Sequence, residues 1–155
     1  MPPQGPVDVV AAMRAALAEA QLALASADVP VGAVLLDSDG TVLAHAHNER
    51  EALNDPTAHA EVLAIRRAAE LRAAWHLDDT TLVVTLEPCV LCAGAILAAR
   101  IPRLVFGAWD EKAGAVGSVY DLLRDRRLPH RVEVYAGVEA EASANLLRDF
   151  FGSKR

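Results

Sequence analysis

Apolar and polar positions in the first third of the chain predict one helix and then a hairpin. Over residues 9–24 the larger apolar residues recur at helical spacings, and Asp8 stands where it can cap the first turn. The apolar run 31–36 is followed by the turn residues 37–40 and by the alternating run 41–47. This order predicts two antiparallel strands joined by a tight turn.

After the hairpin, helices and strands alternate. Asp55 and Pro56 predict an N-cap and a first helical residue, and the helix runs to about residue 73. Further strands are predicted at 81–86, 103–106 and 132–136, helices at 89–99 and 140–151, and a glycine-punctuated loop at 107–117. Such alternation predicts an α/β layer fold with mostly parallel strands.

Length and composition favour one folded domain inside the cell. The 155 residues, 53% of them hydrophobic, suit a single domain over 1–155 and exclude a disordered or collagen-like chain. The longest stretch without a charged residue covers the 12 residues 88–99, short of the ~18 that a membrane helix needs. Because residues 1–6 lack the basic start and the apolar run of a signal peptide, we expect a cytoplasmic protein without a membrane segment.

Charge is distributed unevenly along the chain. The formal net charge of -6 argues against nucleic acid as a partner. Residues 1–99, however, hold 5 Lys+Arg against 13 Asp+Glu, whereas residues 100–155 hold 10 against 8. The basic stretch that contains Arg124, Arg126 and Arg127 is therefore a candidate anion-binding surface, and a solvated loop is the alternative.

One histidine and the only two cysteines of the chain are spaced as metal ligands. Cys89 and Cys92 lie three residues apart at a predicted helix start, on one face of that helix, where the N-terminal N–H groups favour thiolates. With His59 they make three ligands, which leaves one position of a zinc tetrahedron for water, as in catalytic rather than structural sites. Glu61 would then shuttle protons.

Each of these residues also has an ordinary explanation. A cytosolic C-x-x-C is as often a redox dithiol or half of a structural zinc knuckle, although neither of these accounts for Glu61. Glu61 could instead be a solvated helix residue, since it lies about 200° around an ideal helix from His59 and converges with it only at a helix end. We assign no metal to His45, His47 or His76, which are interpreted as ordinary polar or packed residues.

Several segments resemble the bacterial tRNA adenosine deaminases. They are DPTAHAE at 55–61, TLEPCVLCAGA at 85–95, VFGA at 105–108, PVGAV at 30–34 and DFF at 149–151, so the similarity extends from about residue 8 to residue 151. The resemblance implies hydrolytic deamination of the wobble adenosine in a tRNA anticodon stem-loop to inosine, with release of ammonia. It also implies a homodimer of the three-layer α/β/α cytidine-deaminase fold, built on a five-stranded mixed sheet.

The resemblance also assigns roles to single residues. It makes His59, Cys89 and Cys92 the ligands of one Zn²⁺ per chain and Glu61 the proton shuttle. It implies that Asn48 contacts the purine, that Val31 and Leu86 line the base pocket and that Asp110 lies near the ribose. It also implies contacts to the flanking nucleotides from Phe150, Phe151, Arg124, Arg126 and Arg127. The chain departs from the family at His47 and Trp109, where another aromatic and a basic residue are expected, and in the short basic tail 154–155.

A second class of substrate stays open at this point. Deaminases of free guanine or cytosine share the zinc motifs and would suit the acidic surface without any RNA. The motifs alone therefore predict a zinc deaminase without choosing its substrate.

Overall fold

Five helices and five strands make up the computed structural model, which describes residues 7–153. Residues 1–6, where no signal peptide is predicted, and the tail 154–155 lie outside the described residues. The helices are α1 (Val9–Leu22), α2 (Arg50–Leu53), α3 (Ala60–Arg72), α4 (Val90–Ala98) and α5 (Ala140–Gly152). The strands are β1 (Gly32–Leu36), β2 (Val42–His47), β3 (Thr81–Leu86), β4 (Arg103–Ala108) and β5 (Glu133–Tyr135).

The strands form one mixed sheet in the order β2-β1-β3-β4-β5, as the resemblance implies. β1 is antiparallel to both of its neighbours, whereas β3, β4 and β5 are parallel. The expectation of mostly parallel pairing was therefore wrong for half of the ladders. The cause is the insertion of β1 between β2 and β3, a long-range order that the local sequence pattern does not encode.

Helices cover both faces of the sheet, which confirms the three-layer architecture. β1 is buried along its whole length, so its alternate side chains enter two separate cores. Ala33 and Leu35 pack in the core beneath α3 and α4, while Val34 and Leu36 pack beneath α1. The start of α5 lies beside α1, where Glu139 pairs with Arg14.

The first helix is fixed at both its start and its middle. The side chain of Asp8 accepts a hydrogen bond from the Ala11 N–H, which confirms the predicted cap. Farther along, α1 passes so close to β1 that a Cβ on Gly32 would lie 1.9 Å from the Ala16 carbonyl oxygen. Only glycine fits at this crossing, and the contact sets α1 directly over the beginning of β1.

Two helix boundaries differ from the sequence-based prediction. The second predicted helix does not begin at Asp55, because α3 begins at Ala60 with His59 as its N-cap. Asp55 instead accepts hydrogen bonds from the backbone and hydroxyl of Thr57, which closes a turn ahead of the helix. The first predicted helix ends early, since residues 23–26 form a 3₁₀ turn after α1.

The segment Val9–Ser26 is long and apolar enough to span a membrane by length and hydropathy alone. Arg14 and Glu19 interrupt this segment, so it lacks the long uncharged stretch on which the sequence-based expectation of no membrane helix rested. In this fold α1 packs its apolar face on the sheet, burying Val9, Met13 and other residues of that face in the core. In this structure the segment is therefore part of a helical layer that packs on the sheet.

Candidate active site

Several chain segments with candidate functional residues meet at one edge of the sheet. β2, β3, β4 and β5 all run in one direction and β1 runs against them, so the ends of four strands and the start of β1 face the same side of the sheet. Gly32 pairs with His47, and Leu86 pairs with Ala108, which fixes the register there. Ligands of open α/β sheets bind outside the carboxyl ends of the strands, and this edge is such a place.

The three predicted metal ligands converge at this edge. His59 and Cys89 are the N-cap residues of α3 and α4, neither with a side-chain capping bond, and Cys92 lies in the first turn of α4. His59 Nδ1 lies 3.6 Å from Cys89 Sγ and 3.4 Å from Cys92 Sγ. Zn–S bonds of about 2.3 Å and Zn–N bonds of about 2.0 Å at tetrahedral angles place the nitrogen and each sulfur about 3.5 Å apart. The donor set therefore fits zinc in both chemistry and spacing.

The electrostatics of the cluster also favour a cation. The hydrogen bond from Cys92, followed by that from His59, lowers the pKa of Cys89 to about 3, so this sulfur is a thiolate at neutral pH. The same contact with the Cys89 thiolate, together with burial, raises the pKa of the Cys92 thiol. The hydrogen bond to Cys89 raises the pKa of His59 against the opposing effect of burial. A metal ion would displace the remaining protons from this group.

Glu61 faces the same centre from the first turn of α3. Its side chain is almost fully buried, and burial raises the pKa of Glu61 to about 6. His59 has an extended backbone as the N-cap, so the two side chains converge although they would diverge inside a helix. A carboxyl group with a pKa near neutrality can both give and take a proton.

A cavity of about 200 Å³ opens next to this cluster. It brings together seven of the residues singled out from the sequence, from five separate stretches of the chain. They are Val31, Asn48, His59, Glu61, Leu86, Cys89 and Asp110. Val29, Arg50, Ala60, Glu87 and Ala113 complete the lining.

The two polar residues predicted to contact the substrate are held firmly in the cavity wall. Asn48 donates from Nδ2 to the Val29 carbonyl, and its Oδ1 accepts from the Arg50 N–H. Asn48 therefore keeps one N–H and one oxygen lone pair for a ligand. Asp110 accepts with Oδ1 from the N–H groups of Lys112 and Ala113, so one of its oxygens caps the turn that follows β4.

The two C-terminal phenylalanines differ in accessibility. Phe150 is buried, while Phe151 is 53% exposed, and the two rings meet edge to face. Both line a second cavity of about 180 Å³, and Asn48 and Arg50 line this cavity as well as the first. Of the two predicted stacking residues, only Phe151 is exposed to solvent, and Phe150 packs against it.

The predicted arginine cluster is only partly available to a ligand. Arg124 pairs through Nε with both carboxylate oxygens of Asp121 at 3.1 Å, and Arg127 pairs with Asp125. The charge of the stretch is therefore more compensated than its sequence suggests. Arg126 is exposed, and Arg124 also donates to the Val116 carbonyl, which attaches the cluster to the loop that carries Asp110.

Sequence reasoning missed Arg50 and Glu87. Arg50 starts α2, a helix whose first N–H groups are capped by Asp28 from more than 20 residues away, at the Glu51 and Ala52 amides. No local pattern signals such a cap. Glu87 could have been noticed as a carboxylate directly before the Pro-Cys pair. Burial would raise the pKa of Glu87, but hydrogen bonds from Ser118 and from backbone N–H groups hold it below its ordinary value.

The histidines outside the cluster make hydrogen bonds elsewhere. His45 and His47, on β2, both bond to Glu19 of α1, and His76 bonds to Asp78. His47, one of the two departures from the family pattern, thus joins α1 to the edge strand of the sheet.

Comparison with known proteins identifies the family. Residues 8–108 match the model of the cytidine and deoxycytidylate deaminase zinc-binding region, and this segment contains all three candidate ligands and Glu61. The chain belongs to this deaminase family. The zinc chemistry inferred from the ligand geometry is thus the chemistry of the family, and the cytidine-deaminase-like fold implied by the resemblance is confirmed.

Proteins similar to this deaminase in sequence or in fold are named for different substrates. A tRNA-specific adenosine deaminase of Streptococcus pyogenes is 46% identical over 143 residues, which cover 92% of this chain and 83% of the relative. A structure from work on A-to-I editing by tRNA:A34 deaminases is 44% identical, with a TM-score of 0.85 over 88% of this chain and 99% of that one. Guanine deaminase from Nitrosomonas europaea shares the fold at 21% identity, with a TM-score of 0.82 over 97% of this chain and 88% of that one.

Proposed function

We propose that this deaminase converts the wobble adenosine of a tRNA anticodon to inosine. The observation that carries the proposal is one cavity in which the His59, Cys89 and Cys92 cluster meets Glu61 and Asn48, in a chain 46% identical to a tRNA-specific adenosine deaminase. His59, Cys89 and Cys92 would hold the zinc ion. When bound, zinc lowers the pKa of a coordinated water toward about 7 and so supplies hydroxide at neutral pH.

Glu61 performs the proton transfers in this proposal. The C6–O bond forms and the C6–N bond breaks with net consumption of one water, so protons must reach the purine ring and the departing amine. Glu61 takes one proton from the attacking water and gives it to N1 of adenine; it then takes the proton of the new C6 hydroxyl group and delivers it to the amine, which leaves as ammonia. Its burial keeps the carboxyl group near the pKa needed for both steps.

The cavity wall orients the base. Asn48 hydrogen-bonds the purine edge with the groups that its own contacts leave available, and Val31 and Leu86 contact the ring faces. Arg50, which lines both cavities, faces the phosphate between the target and the next nucleotide, whose base stacks on Phe151. A base in a loop is unstacked more easily than one in a duplex, which suits an anticodon substrate.

A substrate panel tests the proposal. The purified, zinc-loaded protein is incubated with an anticodon stem-loop bearing a wobble adenosine and, separately, with free adenosine, guanine and cytosine. Inosine formation in the stem-loop alone supports the proposal. Turnover of guanine or cytosine without turnover of RNA would replace it with the free-base activity, which the shared fold of the guanine deaminases leaves as the second candidate.

Neutralising the arginine cluster tests the RNA-binding surface. We expect Arg124, Arg126 and Arg127, replaced together by glutamine, to weaken stem-loop binding and to lower the salt slope by about 0.7 for each phosphate that the protein no longer neutralises. Binding is measured over a series of salt concentrations. In the control variant, glutamine replaces Arg14 on α1 and Arg72 on α3, which pair with Glu139 and Asp79. This variant should keep the salt slope of the wild-type protein. An unchanged slope in the triple variant would make the cluster a solvated surface.

Asp110 is proposed to favour ribose over deoxyribose. A carboxylate accepts a hydrogen bond from the 2′-hydroxyl of ribose. DNA lacks this hydroxyl, so near a DNA strand the carboxylate gains no hydrogen bond and its negative charge only repels the phosphates. We expect Asp110→Asn to lose activity on RNA and to narrow the gap between matched RNA and DNA stem-loops. Asparagine keeps an oxygen for the turn cap to Lys112 and Ala113, so the thermal midpoint should hold. An unchanged RNA-to-DNA ratio with a lower midpoint would make Asp110 a turn residue only.

We further infer that residues 1–155 form one zinc-dependent domain that works as a homodimer in the cytoplasm. All five strands lie in one sheet, and Cys89 and Cys92 form no disulfide, which suits a reducing compartment. α4 has no charged residue, yet Val90 is 50% and Leu91 is 41% exposed. Such an apolar face suits contact with a second copy of the chain. Sedimentation equilibrium measures the mass of the protein in solution and so tests whether it is a dimer.

A further inference from the structure

The buried carboxylate of Glu87 connects the segment before Cys89 with the loop after β4. The proposed chemistry does not use this carboxylate. Glu87 follows β3 directly and is 2% exposed. Its Oε1 accepts from the Asp110 N–H at 2.9 Å and from the Ser118 hydroxyl. Its Oε2 accepts from the N–H groups of Val116 at 3.0 Å and Ser118 at 3.1 Å. All four partners are donors, so both oxygens must act as acceptors.

The backbone extends the same connection. The Glu87 N–H donates to the Ala108 carbonyl, and the Ala115 N–H donates to the Pro88 carbonyl, both at 2.8 Å. Residues 109–118, here named the wall loop, are thus joined to the two residues that precede Cys89. Two members of the wall loop, Asp110 and Ala113, line the cavity.

Gly114 shows how closely the wall loop encloses this carboxylate. A Cβ on Gly114 would lie 2.2 Å from Glu87 Cδ and 2.3 Å and 2.4 Å from its two oxygens. The backbone of Gly114 does not have the positive φ that would itself require glycine. The glycine is therefore needed because the carboxylate occupies the space of a side chain.

We propose that Glu87 is a positioning residue that holds the wall loop, and with it Asp110, at a fixed distance from the metal ligands. The loop has no regular secondary structure across 109–114, so these hydrogen bonds set where the cavity wall stands. Glu87 is two residues from Cys89, so one side chain relates the substrate-facing wall to the metal centre. The activity measurement below rests on the proposed function, whereas the exchange measurement does not.

Glu87→Gln is the main test. Glutamine has nearly the same size, but its NH₂ group would face N–H or O–H donors and lose their hydrogen bonds. We expect normal zinc content and faster hydrogen exchange of the Asp110, Val116 and Ser118 amides. With a wall displaced by a fraction of an ångström, kcat/KM for the stem-loop should fall about 10- to 100-fold.

Two further variants separate positioning from general stability. Gly114→Ala pushes on the carboxylate without changing any charge, and we expect it to reproduce the faster local exchange and the lower kcat/KM. Glu111→Gln removes the same charge from an exposed position of the same loop and should change neither.

Two kinds of result would overturn the proposal for Glu87. Exchange that rises over the whole chain, or activity that falls only as far as zinc is lost, would make Glu87 an ordinary structural residue and overturn the proposal. Unchanged exchange and unchanged kcat/KM in both Glu87→Gln and Gly114→Ala would also overturn it. If the wild-type protein deaminates no stem-loop, the proposed function fails, while local exchange still decides whether Glu87 holds the wall loop.

Discussion

Cys92→Ser protein is expected to contain almost no zinc and to deaminate its substrate no faster than background. Cys92 is fully buried, and no fourth His, Cys, Asp or Glu among residues 7–153 joins its cluster with His59 and Cys89. A serine hydroxyl stays protonated at neutral pH and does not replace a thiolate as a zinc ligand. Zinc at 1,000 times its Kd stabilises the folded state by about 4 kcal/mol, so the thermal midpoint should fall as well.

Elemental analysis of the purified variants decides this prediction. Cys89→Ser should behave like Cys92→Ser, because the two sulfurs contribute equally to the ligand set. His76→Ala is the control, since this exposed histidine bonds to Asp78 outside the cluster and its loss should leave one zinc per chain. A full complement of zinc in both serine variants would show that the ligands are elsewhere.

Glu61→Gln is expected to fold and keep its zinc while losing about 100- to 10,000-fold in kcat, the usual contribution of general acid–base catalysis. Glutamine fills the same buried space, but it cannot carry a proton from one atom to another. The effect should fall on turnover much more than on substrate binding, because the proton is transferred only as the reaction proceeds.

The matched control for Glu61 lies on the same helix. Glu70 is exposed near the other end of α3, so Glu70→Gln removes a charge from that helix without entering the cavity. Near-normal turnover of Glu61→Gln would remove Glu61 from the mechanism. Loss of zinc from Glu61→Gln with normal zinc in Glu70→Gln would instead make Glu61 a metal ligand.

The metal centre could be predicted from the sequence because its chemistry is encoded locally. Cys89 and Cys92 are three residues apart at a helix start, and a histidine and a glutamate two residues apart stand at another. Few alternatives satisfy both spacings at once. The structure also answers the geometric difficulty with His59 and Glu61, because His59 lies just outside α3 rather than within it.

One helix start, the pairing of the arginines and the strand order could not be predicted, because they depend on contacts that the local sequence does not specify. Asp55 and Pro56 are as typical of a turn as of a helix start, and only the bond to Thr57 distinguishes the two. The pairing of Arg124 and Arg127 with aspartates depends on side-chain geometry in an irregular segment. The position of β1 between β2 and β3 depends on which strand edges pair when the chain folds.

Two helices in this protein begin at proposed metal ligands instead of at capping side chains. His59 and Cys89 occupy the N-cap positions of α3 and α4, where serine, threonine or aspartate would stabilise a helix by about 1 kcal/mol. A protein engineer who ranked substitutions by helix-capping preference alone would therefore favour Asp or Ser at these two positions. Such a ranking would remove the zinc site, whose stabilisation is larger than that of a cap, so redesign of this fold has to hold both helix starts fixed.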